Sequence, residues 1–164
     1  MSEKLIIKKQ DGVGWLTLDK PEKRNAICFE MWQGLQESLL AFSRDDEIRV
    51  VVLNGAGDHG FSAGADISEF PEQLSSEHAI ASYQAVIRAA LDALDDLSKP
   101  SIAMLHGLCI GGGASIALHS DMRIAAQTTR IAIPVARIAQ AYPWQDVYAL
   151  VQLIGPAFSR EMLY

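Results

Sequence analysis

Apolar residues recur along the chain with two alternating periods, one strand-like and one helical, and the alternation lays out its elements. KLIIKK and VGWLTLD are short β-rich runs, and Asp11-Gly12 between them signals a tight antiparallel hairpin. KPEKRNA breaks the pattern. From Ile27 the positions Ile27, Met31, Leu35, Leu39 and Phe42 share one helical face, which predicts a helix to about Ser43 with Asn25 as its cap. IRVVVLNG reads as a parallel strand covered on both faces, followed by a loop. Ile80, Tyr83, Ile87, Leu91 and Leu94 predict a second helix, which Lys99-Pro100 stops. SIAMLHG is a further buried strand, ASIALHSD a short helix, and MRIAA and RIAIP short strands. WQDVYALVQLIG predicts a late helix ended by Gly155, with Pro156 opening another, PAFSREMLY. Strands alternating with helices imply an α/β fold with parallel pairing. No linker, repeat or low-complexity stretch divides residues 1–164, so a single domain is expected.

Composition narrows the function classes. With 49% hydrophobic and 21% charged residues the chain reads as globular rather than disordered. A net charge of -6 without a concentrated basic face argues against a nucleic-acid partner. No run approaches the roughly eighteen apolar residues of a membrane span, and MSEKLIIKKQ has no leader-like core. The expected location is cytoplasmic. Cys28 and Cys109 form no CxxC pair, so neither a disulfide framework nor a zinc site is expected, and both read as buried small hydrophobes.

Three glycine-rich segments carry candidate chemistry. GAGDHG, Gly55 to Gly60, matches GxGxxG, but FSAGAD intervenes where a dinucleotide-binding turn would open into a helix, so that reading fails on context. FSAGADI, Phe61 to Ile67, places small residues around Gly64. Such a segment either turns the chain or points backbone N–H groups into a cleft. Gly111 to Gly113 lie between a strand and a short helix, where glycine serves either close packing or the approach of a carbonyl to helix-start N–H groups.

Taken in order, LTLDKPEKRNAI, VVVLNGAGDHGFSAGADI, LSKPSIAMLHGLCIGGG, DMRIAA and RIAIPVARIA resemble the crotonase family, the enoyl-CoA hydratase/isomerase family, over nearly the whole chain. The resemblance implies a crotonase-like spiral of ββα units that binds acyl-CoA thioesters and stabilises a thioester enolate. It places lyase or isomerase chemistry of fatty acid metabolism within reach. It assigns oxyanion-hole donors to the backbone N–H groups of Ala65 and Gly112. Arg24 and Ala26 match the family's CoA-binding strand end, and Ala63, Gly64, Asp66 and Ile67 match the stretch along the adenine and pantetheine. Leu108, Gly111, Ser115, Pro134 and Val135 complete the substrate-binding set. No metal and no separate cofactor are implied, since CoA enters as part of the substrate. A homo-oligomer, a trimer, is implied as well.

Two departures stand out. Hydratases of this family carry glutamates where this chain has Ser115 and Val135. A serine hydroxyl binds protons too weakly to act as a general base unaided, and valine has no group to offer. Ordinary hydration by paired glutamates is therefore not expected. Family members also continue into further helices that cover the acyl pocket, so the chain reads as truncated at its C-terminus. Among other titratable groups, His106 is expected to be a hydrogen-bonded core histidine and Asp121 to fix a turn. Asp66 is expected to be held in backbone bonding, Glu69 to face the acyl pocket, and His59 and His78 to be exposed. Two readings stay open: an acyl-CoA enzyme, or a non-catalytic CoA-binding or assembly protein that keeps the fold.

Overall fold

A computed structural model of the chain describes residues 4–138 and 141–164. The first three residues of the N-terminus and the last residue of the RIAIPVARIA motif lie outside them. In chain order the elements are β1 (Leu5–Gln10), β2 (Val13–Leu18), α1 (Phe29–Ser43), β3 (Val50–Gly55), β4 (Gly60–Ser62), α2 (Phe70–Gln73) and α3 (Glu77–Asp95). They continue with β5 (Ser101–Leu105), β6 (Leu108–Ile110), α4 (Gly112–His119), β7 (Met122–Ala125), β8 (Arg130–Ala132) and α5 (Trp144–Leu163).

The expected hairpin is present. Gln10 pairs with Val13, and Asp11 and Gly12 turn the chain with φ of 53° and 80°, the doubly left-handed turn whose twist matches paired strands. Beyond it every pairing between named strands is parallel. The strands form two sheets, β1-β2-β3-β5-β7 and β4-β6-β8. From β3 onward each successive pair of strands gives its first member to the larger sheet and its second to the smaller one, and a helix follows. That is the spiral of ββα units the sequence led us to expect. β4 and β6 span three residues each, too short for any period, and the sequence had not shown them as strands.

The helical faces fall where their periodicity put them. Met31, Leu35, Leu39 and Phe42 of α1 are buried, and α1 packs against α3, whose Leu91 and Leu94 are buried in the same core. Ser76 caps α3, its hydroxyl accepting the Ala79 N–H at 3.1 Å. Helix α5 is interrupted at Gly155 (φ 76°, ψ 167°), as its glycine-proline stop predicted. Cys28 and Cys109 are free and fully buried, and burial pushes the Cys109 thiol pKa up to about 12.

Asn25 is not the helix cap that its position suggested. α1 starts at Phe29 after Cys28, and Asn25, fully buried with φ 56°, instead ties loops together. Its side-chain oxygen accepts the Lys20 N–H at 3.0 Å, and its amide nitrogen donates to the carbonyls of Ala56 at 2.9 Å and Gly60 at 2.8 Å. Losing three buried hydrogen bonds at about 1 kcal/mol each predicts that Asn25→Ala lowers the unfolding free energy by about 3 kcal/mol. Urea unfolding checks this, and a loss under about 1 kcal/mol would show that the loops are held by other means.

Candidate active site

Arg24 and Asn25, both left-handed, swing the chain so that residues 24–27 run alongside residues 63–66. Ala63 N–H donates to the Arg24 carbonyl at 2.9 Å, Ile27 N–H to Gly64 at 2.7 Å, and Asp66 N–H to Ile27 at 3.0 Å. Ile27 and Ala65 are thus bridge partners. Such a parallel bridge uses the residues flanking Ala65, so Ala65 turns its own N–H away from Ile27. That N–H has no hydrogen-bond partner among the described residues. The two segments assigned to CoA by resemblance are therefore hydrogen-bonded to each other.

The glycine triplet lies against this loop. Gly111 (φ 50°, ψ -113°) makes the turn from β6 into α4, in a conformation that a side chain would strain, while its N–H donates to Ala132 at 3.0 Å. Gly112 is the first residue of α4, so its N–H has no carbonyl one turn earlier and no partner among the described residues. A Cβ at Gly64 would stand 3.0 Å from the Ile110 carbonyl oxygen and 3.7 Å from Gly112 N, so the two loops touch at backbone distance. A Cβ at Gly113 would come within 2.7 Å of Ser62 Cβ, and one at Gly112 within 3.0 Å of the Trp32 ring. One glycine serves a turn, and the other two serve close approach.

Asp66, 3% exposed, anchors the Ala65 loop from below. Lys20 and Lys23 pair with it, and Ser68 donates to it from N–H at 3.1 Å and from Oγ at 2.7 Å. Burial pushes the Asp66 carboxyl pKa up, but the hydrogen bonds from Lys20, Ser68 and Lys23 outweigh it and hold it well below the ordinary range. Backbone bonding was expected here, and the ion pairs with buried Lys20 and exposed Lys23 were not. Glu69, expected to face the acyl pocket, uses its carboxylate to accept the Phe29 N–H at 2.8 Å and so caps α1 from outside. Asp121 fixes its turn as expected, accepting Ser101 N–H at 2.8 Å and Ser101 Oγ at 2.9 Å. His106, half-buried rather than in the core, meets the Gly57 carbonyl at 2.9 Å, while His59 and His78 are exposed.

Arg24 is exposed and its guanidinium has no partner among the described residues; Ala26 is buried, and Ile67 is 73% exposed. Leu108 is half-buried in β6. Pro134 borders a groove of about 550 Å³ lined by Ile131, Phe158 and Met162 among others, and neither Ala65, Gly112 nor Ser115 lines it. Val135 starts a short 3-10 turn against the core.

Ser115 sits in the first turn of α4, 3% exposed, and its neighbours come from the far end of the chain. Its Oγ lies 2.6 Å from Asp146 Oδ2 and 2.5 Å from the Tyr142 hydroxyl. Asp146 Oδ1 meets His119 Nε2 at 3.3 Å and Arg88 Nη1 at 3.6 Å, and His119 Nδ1 meets Asp95 at 2.7 Å. Burial pushes the Asp146 pKa up, but the hydrogen bonds from His119 and Ser115 bring it below its ordinary value. Burial lowers His119, and its bonds to Asp146 and Asp95 reverse that and raise it. A glutamate at 115 would thus meet a buried carboxylate already in place. Sequence reasoning passed over Asp146, yet a signal existed: it lies four residues before buried Leu150, an acid on an apolar stripe. Among the described residues no cluster of three or more His, Cys, Asp or Glu is placed to hold a metal, and no helix is long and apolar enough to cross a membrane.

Comparison with known proteins bears on what this arrangement does. Residues 8–164 match the family model described as enoyl-CoA hydratase/isomerase. The carnitinyl-CoA dehydratase of Salmonella enteritidis is 34% identical over 163 residues, covering 99% of this chain and 61% of that protein. The crotonyl-CoA hydratase of Syntrophomonas wolfei is 27% identical over 162 residues, covering 99% and 62%. The crystal structure of an enoyl-CoA hydratase/carnithine racemase from Magnetospirillum magneticum superposes with a TM-score of 0.94 at 31% identity, covering 99% of this chain and 61% of that one. The chain therefore spans about three fifths of the length of these relatives.

Removing the Asp66 charge leaves Lys20 buried without its partner, so Asp66→Asn is expected to cost about 3 kcal/mol at pH 7. Because the folded carboxyl is held below its unfolded pKa of about 3.9, the stabilisation is complete above that pH and is lost as pH falls further. Denaturant unfolding of both proteins at pH 7 and pH 3 checks this, and the gap must shrink at pH 3.

Proposed function

Since the chain belongs to the enoyl-CoA hydratase/isomerase family, we propose that it binds acyl-CoA thioesters and stabilises the enolate of the acyl group through the backbone N–H groups of Ala65 and Gly112. The observation that carries this reading is the pair of N–H groups, unpartnered among the described residues, on two segments in backbone contact. A thioester carbonyl between them accepts two hydrogen bonds. When the α-proton leaves, negative charge gathers on that oxygen, where each donor contributes about 3 kcal/mol. The N-terminus of α4 adds its dipole at the same point. Small side chains at Ala26, Ala63 and Gly64 leave the approach open. Exposed Arg24 offers charge to CoA phosphates.

The reaction is not paired-glutamate hydration. Position 115 holds a serine, enclosed by Asp146 and Tyr142, and position 135 a valine. What fits is a reaction that passes through a thioester enolate with other acid–base groups, as an isomerase or lyase.

Calorimetry with butyryl-CoA and with butyrate tests binding: the thioester is expected to bind within the ~1 μM to 1 mM range usual for enzyme substrates, and butyrate not at all. Equal or absent binding of the thioester would remove this function. Turnover over a panel of acyl-CoA thioesters, with product identification, tests catalysis. Gly112→Pro keeps a residue suited to a helix start but lacks the N–H, and is expected to lower that turnover by about 10² to 10³. Full turnover by a variant that circular dichroism shows to be folded would exclude Gly112 as a donor, and thioester binding without any turnover would favour a non-catalytic CoA-binding protein.

A further inference from the structure

We propose that Ser115 is the proton-transfer residue of this thioester site and that Asp146, reaching it from α5, is the positioning residue that makes a serine adequate to the task. The inference rests on the thioester reading above. Counting hydrogens gives the direction of the bonds. An ionised carboxylate only accepts, so the Ser115 hydroxyl proton points to Asp146 Oδ2 at 2.6 Å. The Tyr142 hydroxyl, 2.5 Å away, then donates to Ser115 Oγ. The Gly111 carbonyl, at 3.5 Å, is beyond a normal O–H···O bond. Ser115 Oγ thus keeps one acceptor site, with its own proton already committed to a base.

The carboxylate is held for this orientation. His119 Nε2 and Arg88 Nη1 both face its other oxygen, Oδ1, and Asp95 holds the far side of the His119 ring. Arg88 Nη1, buried without a hydrogen-bond partner among the described residues, faces Asp146 at 3.6 Å, while Nε and Nη2 of the same guanidinium pair with Asp92 at 2.7 Å and Asp95 at 3.2 Å and hold it there. Ser115 and Gly112 both lie in the first turn of α4, so the proton acceptor and the oxyanion donor share one end of one helix.

The substrate α-C–H bond breaks, and its electron pair forms the enolate, whose charge moves onto the thioester oxygen. The proton passes to Ser115 Oγ as the Ser115 hydroxyl proton passes to Asp146 Oδ2. Reversal returns a proton to the α-carbon, and in D2O it returns a deuteron once the hydroxyls have exchanged with solvent.

The test is α-deuterium incorporation into butyryl-CoA in D2O, followed by mass spectrometry, beside butyryl-CoA binding by calorimetry. The wild-type chain is expected to bind and to exchange above the buffer rate. Asp146→Asn keeps the shape but cannot take a proton, and Ser115→Ala removes the relay while leaving Asp146 with His119 and Arg88. Each is expected to slow exchange about a hundredfold or more with the Kd changed less than about threefold, a split that loss of packing would not produce. If Asp146→Asn fails to fold, Ser115→Ala decides alone. Wild-type exchange rates in either folded variant overturn the proposal, as does a wild-type chain that binds butyryl-CoA without exchange, which leaves the thioester-binding reading standing. Absence of binding removes both.

Discussion

A buried asparagine in a left-handed conformation holds three loops in one place, and the site depends on it. Asn25 bonds through its side chain to Lys20, Ala56 and Gly60, its N–H donates to the Lys20 carbonyl, and its carbonyl accepts the Ser62 hydroxyl at 2.8 Å. Ser62 Oγ in turn accepts the Gly64 N–H at 3.1 Å, next to the Ala65 whose N–H is unpaired among the described residues. Ser62 is also the residue on which Gly113 packs. The position of these two N–H groups, unpaired among the described residues, therefore traces back to one asparagine that bonds through both its side chain and its backbone. A buried polar network of this kind is stable only when complete, because each unmatched group would carry its full desolvation penalty.

Two buried carboxylates play opposite parts around that frame. Asp66 is surrounded by two lysines and a serine, and its role is to keep the loop below Ala65 in place. Asp146 is met by one histidine and one arginine on a single oxygen, which leaves the other for a hydroxyl. The first arrangement uses up the carboxylate, and the second aims it. Glu69 shows a third use, with its charge placed at the N-terminus of α1, where unpaired N–H groups favour it.

Much of the fold was legible because it rests on local rules. The hairpin followed from Asp11-Gly12, the faces of α1 and α3 from spacing, and the break in α5 from Gly155-Pro156, while the spiral was implied by the resemblance of the ordered motifs to a known family. β4 and β6 were missed because three residues carry no period, and they exist only by pairing with each other and with β8. The start of α1 was read early at Asn25 because an asparagine before an apolar run suits a cap as well as it suits a buried tie between loops.

At the site the division is sharper. The sequence by itself determined the small residues of the Ala63–Asp66 loop and the glycine triplet, since turns and close approaches demand particular residue types wherever the rest of the chain lies. It also determined what was absent at Ser115 and Val135. Only the tertiary structure decided what stands there instead. Ser115 and Asp146 are 31 positions apart, and Asp146 meets Arg88 of α3 and His119 of α4 only because three helices converge. Hydrogen bonds between distant side chains leave no periodic trace along a chain, so a group that acts through such a bond is visible only once the chain has folded.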